Sequence, residues 1–300
     1  MVTRAPLLVV VALATIPLAP RPAPAENGRP LKVSAESVLL LDPDGKVLYE
    51  KNPDEPHAPA SLAKMMTLYL ALEDIEQGRA QWDDLVTISR RAGATPKYRM
   101  GLRADEQVPL RVLLDGVGIA SANDAATAVA EHLAHGDEEA FVERMNAKAQ
   151  ELGLAQTHFA NPHGLPDPLQ RSTAKDLAEL ISRLLRDYPF SRAILGGQMF
   201  VFRGRVYARR IPLFNDPGGV EALKTGFTQE AGYNLAVAAW RGGQQFLMVV
   251  LGARSRRLSF LDARKILHYG FVEAGIETEP EPAPGPARKP ARIRSIRAGR

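Results

Sequence analysis

Cysteine is absent from all 300 residues. That excludes disulfides, thiol nucleophiles and thiolate metal sites, and it is compatible with an oxidising compartment without requiring one. A strong charge bias is missing as well. The formal net charge is +4, and much of it lies in the last thirteen residues, where Arg288, Lys289, Arg292, Arg294, Arg297 and Arg300 follow the acidic Glu277, Glu279 and Glu281. The rest of the chain is near neutral, so whole-chain charge gives no argument for nucleic-acid binding. Beyond Leu18 no apolar run is long enough to cross a bilayer. No glycine-rich phosphate loop follows a strand, and no H-E-x-x-H pattern occurs. His132 and His135 lie beside Glu131, but a third ligand is missing, so they read as helix surface positions. Neither a metal nor a cofactor is expected.

What is present starts with an address. Arg4 precedes an apolar stretch from Leu7 to Leu18, and Ala23, Pro24 and Ala25 give the small-x-small pattern of a cleavage site. A stretch of about a dozen residues, interrupted by Pro17, is short of the roughly 20 that a membrane span needs. Residues 1–25 are therefore expected to be a signal peptide. The mature protein would be exported, periplasmic or extracytoplasmic, soluble or loosely surface-associated, with no membrane span after cleavage. From 276 to 300 proline and charge dominate and large apolar residues nearly vanish, which predicts a disordered tail.

Between these ends, Ser37–Leu41 and Val47–Lys51 are β-rich runs around the turn residues Asp42, Pro43, Asp44 and Gly45, a hairpin signal. A helical pattern opens at Ser61 and runs to about Gln77, before Gly78. From Trp82 to about Gly197 the character is mainly helical, with apolar spacing over 110–116, 124–133 and 138–152. Thr173 and Asp176 form a capping box for a helix over 174–186. Strand character returns at 200–211, 220–225, 233–240 and 245–251, and an amphipathic helix spans about 258–273. Strands first, helices in the middle and strands last predict an α+β fold, an antiparallel five-stranded sheet flanked by helices with an inserted helical subdomain. One catalytic domain is expected over 26–275, with its sheet part at about 33–80 and 200–275 and its helical part at about 82–197.

Three short motifs occur in order. Ser61–Leu62–Ala63–Lys64 is an S-x-x-K at a helix start, Ser121–Ala122–Asn123 an S-x-N, and Lys224–Thr225–Gly226 a K-T-G ending a strand. The first alone is weak, since roughly one S-x-x-K arises by chance in such a chain. Ser172 to Lys175 is a second instance. Only Ser61 precedes both other motifs, and Ser172 begins a capped helix. Residues three apart share a helix face, so Lys64 can reach the Ser61 hydroxyl. A serine is inert near neutral pH unless a base takes its proton, and a lysine serves if burial and a nearby cation lower its pKa. Lys224 would be that cation.

The chain resembles the low-molecular-weight penicillin-binding proteins, the serine D-Ala-D-Ala carboxypeptidases of peptidase family S11, which carry this trio. The likeness covers about residues 33–275 and extends beyond the trio to 59–67 (PASLAKMMT), 121–125 (SANDA), 158–174 (HFANPHGLPDPLQRSTA) and 220–235 (VEALKTGFTQEAGYNL). It implies a penicillin-binding-protein or β-lactamase-like fold with a transpeptidase-like catalytic domain. Ser61 would be the acylated nucleophile and Lys64 its general base. Ser121 would pass a proton to the departing D-alanine amine, and Asn123 would hold Lys64 and the substrate amide. Lys224, Thr225 and Gly226 would bind near the terminal carboxylate, joined by Arg254, whose other reading is one surface basic residue among several. The N–H groups of Ser61 and Phe227 would form the oxyanion hole; the Phe227 side chain has no polar group to lend. His163 would be structural. Peptidoglycan stem peptides would be substrate and β-lactams covalent inhibitors. D,D-endopeptidase action on cross-links is the close alternative; a β-lactamase and an inactive wall-binding module are more distant ones. Many relatives continue into a second β-rich domain and an amphipathic membrane helix that this sequence does not show.

Overall fold

The structure, a computed structural model, describes Ala25, Glu26 and residues 29–96, 98–215 and 218–276. The expected leader, but for Ala25, and the expected tail, but for Ile276, lie outside the described residues. Ala25–Glu26 pairs antiparallel with Arg29–Pro30 in a small ribbon of a separate N-terminal unit. From Val33 onward the described chain is one compact unit.

Its frame is a five-stranded sheet in which every neighbouring pair is antiparallel. The strands are β1 (Ser37–Leu41), β2 (Val47–Lys51), β3 (Val220–Thr228), β4 (Gly232–Arg241) and β5 (Gln244–Ala253), in the order β2-β1-β5-β4-β3. The Asp42 carboxylate closes the β1–β2 turn by accepting from the N–H groups of Asp44 and Lys46 at 3.0 and 2.8 Å. Gly242 and Gly243 turn β4 into β5 with φ of 59° and 75°, the two left-handed positions of a tight hairpin. β4 and β5 are buried along most of their length because both sheet faces are covered. Their near-continuous apolar runs follow from that. Leu39, Val249 and Leu251 enter the main core with the helices. Gly270 of α8 (Arg256–Glu273) approaches Leu40 from the other face.

The middle of the chain supplies α1 (Lys64–Glu76), α2 (Arg90–Ala94), α3 (Leu110–Gly118), α4 (Asn123–Leu133), α5 (Glu138–Glu151), α6 (Ala174–Asp187) and α7 (Ser191–Gly196). α1 is the central helix: ten of its thirteen residues are buried, so a side chain on any of its faces meets protein rather than water. Thr173 caps α6 as expected, accepting from Asp176 N at 3.1 Å. The Asp176 carboxylate instead receives Gln156 N and Thr157 Oγ1 at 2.9 and 2.7 Å.

Two expectations need correction. The helix expected from Ser61 begins as a 3₁₀ turn, Ala60–Ala63, and becomes α-helical at Lys64. The single strand expected over 200–211 is a hairpin, Met199–Phe202 against Arg205–Ala208, apart from the main sheet. It reverses at Arg203 and Gly204, whose φ values of 50° and 69° are those of a tight hairpin turn that strand periodicity alone conceals. The mainly helical region also holds a short ribbon, Leu85–Thr87 against Gln107–Pro109. Among the described residues no helix is long and apolar enough to cross a membrane.

Candidate active site

Ser61 stands on the 3₁₀ turn, and the start of α1 brings Lys64 back over it. Lys64 Nζ donates to Ser61 Oγ at 3.1 Å. The turn is entered through Ala60, which has φ 49°, a left-handed conformation uncommon outside glycine. Two neighbours hold it there. Asn234 of β4 donates to Ala58 O and Pro59 O at 3.0 and 3.2 Å. Gly164 lies so close that a Cβ there would fall 1.9 Å from Ala60 O. Ser121, just before α4, is also left-handed, with φ 55°. Left-handed non-glycine backbone thus occurs at the predicted Ser121 and next to the predicted Ser61, and such backbone clusters at functional sites.

Lys64 is fully buried, and its three donors are all used. Besides Ser61 they reach Asn123 Oδ1 at 2.6 Å and the His163 carbonyl. All three acceptors are neutral. The acidic residue whose charge acts on Lys64, Asp124, is buried and spends its carboxylate on the N–H groups of Met100, Gly101 and Leu102 at 2.9, 2.9 and 3.1 Å. Burial therefore lowers the Lys64 pKa from 10.5 to about 7, with Asp124 opposing part of the shift. Of the two expected causes, burial and the Lys224 charge, burial is the one that lowers it.

Lys224 reaches the site from β3. Its Nζ donates to Ser121 Oγ at 2.7 Å and to Thr225 O at 2.9 Å. Burial, then the charges of Lys64 and Arg209, hold its pKa well below the usual lysine value. Two hydrogen-bonded chains thus converge, Ser61–Lys64–Asn123 and Lys224–Ser121, joined through the start of α4. Gly226 lets β3 come this close: a Cβ there would lie 3.2 Å from Ser61 N and 3.0 Å from Pro59 O.

Strand alternation fixes which backbone groups of β3 face the open edge. β3 ends the sheet, and Leu223 O accepts from Arg209 Nη1 at 2.8 Å on the side away from β4. Pairing with β4 is regular from Leu223 to Thr228, so the main chains of Thr225 and Phe227 face outward too. Phe227 is 42 % exposed, and its ring lies over Tyr233 with centroids 4.3 Å apart. Arg254 is exposed and follows Ala253, which pairs with Tyr233 as Tyr233 pairs with Phe227. It stands at the same end of the sheet but outside the hydrogen-bonded set.

Several contributors carried no sequence signal. Main-chain carbonyls such as His163 O cannot be read from side-chain types. Thr67 Oγ1 donates to Pro162 O at 2.6 Å, and Asn161 Oδ1 accepts from Gly164 N at 2.7 Å; together they fix the loop that presents His163 O. The His163 ring accepts from Leu165 N at 3.2 Å, and burial lowers its pKa to about 3, so it stays neutral. Arg209 donates to Gly197 O and Leu195 O as well as to Leu223 O; burial brings it to about 10. The second S-x-x-K resolves as structure. Ser172 Oγ meets Thr157 Oγ1 at 2.8 Å, and Lys175 lies 3.4 Å from Asp54 at the surface. His132 Nε2 sits 3.3 Å from Asp84, and the described residues hold no group of three or more metal-ligating side chains.

Comparison with known proteins adds a family. The profile of peptidase S11, described as D-alanyl-D-alanine carboxypeptidase, matches residues 23–255. The chain is 38% identical over 248 residues to the D-alanyl-D-alanine carboxypeptidase DacA of Escherichia coli (strain K12), covering 80% of this chain and 61% of that one. With DacC of the same strain it shares 40% over 247 residues, covering 80% and 62%. It thus spans about three fifths of the length of these curated relatives. A D-alanyl-D-alanine endopeptidase of Pseudomonas aeruginosa is 31% identical over 274 residues, covering 84% and 83%. Penicillin-binding protein 5 of Haemophilus influenzae superposes with a TM-score of 0.78 at 35% identity, covering 81% of this chain and 72% of that one. Penicillin-binding protein D2 of Listeria monocytogenes, in its cefotaxime-bound form, gives 0.73 at 31%, covering 80% and 98%.

Proposed function

The chain belongs to the peptidase S11 family of D-alanyl-D-alanine carboxypeptidases, and on that premise we propose that it is a serine D,D-carboxypeptidase removing the terminal D-alanine of peptidoglycan stem pentapeptides. One observation carries the chemistry: a buried lysine with a pKa of about 7 lies 3.1 Å from a serine hydroxyl and has only neutral hydrogen-bond partners. Near neutral pH a large fraction of Lys64 is uncharged, and the contact then reverses, with Ser61 Oγ donating its proton to the amine.

Ser61 Oγ attacks the carbonyl of the penultimate D-alanine. The negative charge that develops on oxygen is held by the N–H groups of Ser61 and Phe227, a pairing supported by the outward-facing main chain of Phe227 and the approach of Gly226 to Ser61. As the peptide bond breaks, Ser121 gives its proton to the departing amine and regains one through Lys224. Lys224 and Thr225, with Arg254 at the sheet end, receive the terminal carboxylate. Asn123 orients Lys64 and the substrate amide. Water then releases the tetrapeptide from Ser61, and a β-lactam leaves a stalled acyl-enzyme by the same first step. Export by the N-terminal leader would place this activity at the wall.

Cleavage of peptide cross-links by the same residues is the second reading, favoured by the 83% length coverage of the Pseudomonas endopeptidase. Incubating the protein with a stem pentapeptide and a cross-linked dimer side by side tests both. Pentapeptide turning into tetrapeptide supports the first reading, and loss of dimer supports the second. Ser61→Ala is expected to abolish labelling by a fluorescent penicillin; labelling that survives contradicts the nucleophile assignment.

A further inference from the structure

The two N–H groups that hold the developing charge come from different elements. Ser61 N–H belongs to the 3₁₀ turn and Phe227 N–H to β3. Their separation is therefore set by how the turn is docked on the sheet. Gly226 and Asn234 make that dock. They are cross-strand partners on β3 and β4, so both point from the same face of the sheet. It is the face on which Pro59, Ala60 and Ser61 lie against Gly226. Gly226 leaves the room, and Asn234 makes the bonds.

Asn234 is fully buried, and its amide has one way to sit. Tyr233 pairs with Ala253 but Leu235 with Val250, so Leu251 and Gly252 of β5 both stand opposite Asn234 in a β-bulge. Gly252, with φ 68°, turns its N–H onto Asn234 Oδ1 at 2.9 Å. With the oxygen taken, Nδ2 faces the turn and donates to Ala58 O and Pro59 O. Pro59 O also closes the turn, accepting from Leu62 N at 3.2 Å. One side chain thus ties the bulge to a carbonyl 175 residues away. Reversing the amide would set oxygen against two carbonyls and N–H against N–H. We propose that Asn234 is the positioning residue of the oxyanion hole, setting the gap between the Ser61 and Phe227 N–H groups by pinning the nucleophile turn to the sheet. This deepens the D,D-peptidase reading and rests on it. Donors placed for a tetrahedral oxygen act on the transition state and little on the bound ground state.

The test follows acylation by benzylpenicillin in the wild type, Asn234→Ala and Asn234→Asp, separating the dissociation constant of the non-covalent complex from the rate constant of ester formation. Both are read on molecules that acylate, so an unfolded fraction does not enter them. The rate constant is expected to fall about tenfold in Asn234→Ala, and about a hundredfold in Asn234→Asp, whose carboxylate opposes the two carbonyls. The dissociation constant is expected to stay within about twofold. The boronic acid analogue of N-acetyl-D-alanine, which forms a tetrahedral adduct on Ser61 Oγ, reads the hole itself. Its inhibition constant is expected to rise by the same factors. Gly226→Ala pushes on the turn from the other strand, with its Cβ 3.0 Å from Pro59 O, and is expected to show the same parallel loss. It carries the test if neither Asn234 variant folds. Slower acylation with unchanged boronate affinity places the loss outside the oxyanion hole and overturns the proposal, as do wild-type rates in the variants; either leaves the parent reading standing. A wild type in which benzylpenicillin forms no ester at Ser61 overturns the parent reading, and the role of Asn234 with it.

Discussion

Two regions of this molecule hold basic side chains in opposite ways. Around Ser61, Lys64 meets a hydroxyl, an amide oxygen and a carbonyl, Lys224 a hydroxyl and a carbonyl, and Arg209 a set of carbonyls. At the far end of α1, Lys148 lies 2.8 Å from Glu73 and also meets Glu151, while Arg144 lies 2.8 Å from the buried Asp74, which also pairs with Arg79. The consequences diverge. Burial pulls Lys148 down, but hydrogen bonds and charges from Glu151 and Glu73 outweigh it and keep its pKa above the usual value. Lys64 has no carboxylate in contact, so burial wins and its pKa falls to about 7. Paired charges hold the helices together; an unpaired buried amine is a base.

Removing the amine breaks the comparison most severely. Lys64→Met is expected to slow acylation by benzylpenicillin about 10²–10⁴-fold. The same change relieves the cost of burying an ionisable group and is expected to raise Tm by about 2–4 °C, the shift about 1 kcal/mol gives at this size. The sign with pH follows from the depressed folded pKa. Deprotonated Lys64 carries no ionic cost above its unfolded value near 10.5, and the cost is full below about 7. The stabilisation by methionine is therefore larger at neutral than at alkaline pH. A variant that keeps acylating, or that loses stability, goes against the account.

Next comes the paired end. Asp74→Ala leaves Arg79 and Arg144 without their shared carboxylate and is expected to cost about 2–3 kcal/mol in denaturant unfolding. That is less than the 3–5 of a fully buried pair, because both arginines can turn to water. Acylation per folded molecule is expected to stay at the wild-type rate, whereas a comparable loss of rate would show that the two ends are coupled. The smallest effect tests the contrast most finely. Asn123→Asp places a carboxylate where the amide oxygen lies 2.6 Å from Lys64 and so makes the site resemble the far end. The rising limb of acylation against pH, expected near 7 in the wild type, should move up by about 1 unit, with an about fivefold lower rate at pH 7. A limb that stays in place would mean that partner charge does not set this pKa.

Much of the frame could be read in the chain because its signals are local. The Asp42–Gly45 turn, the Gly242–Gly243 turn and the Thr173 cap each act within a few residues, and Ser61 and Lys64 are three apart. The convergence of Lys224 on Ser121 was readable only through motif order and family resemblance, since 103 residues separate them. What stayed hidden was backbone: the left-handed Ala60 and Ser121, the 3₁₀ opening of α1, the hairpin reversal at Arg203–Gly204, and the His163 carbonyl that takes the third proton of Lys64. Asp124 was hidden for a related reason. Its neighbours are the N–H groups of a loop 22–24 residues away, and nothing in its type says that its carboxylate is taken up there and offsets only part of the effect of burial on Lys64.

Everything rests on an amine that gives up its proton near neutrality because no carboxylate answers it. Titrating the lysine side-chain nitrogens of the ¹⁵N-lysine-labelled protein by NMR, with Lys64→Met to assign the signal, measures this directly. A Lys64 transition near pH 7 is the result expected here. A signal that stays protonated until the ordinary lysine range above pH 10 would leave Ser61 without its base.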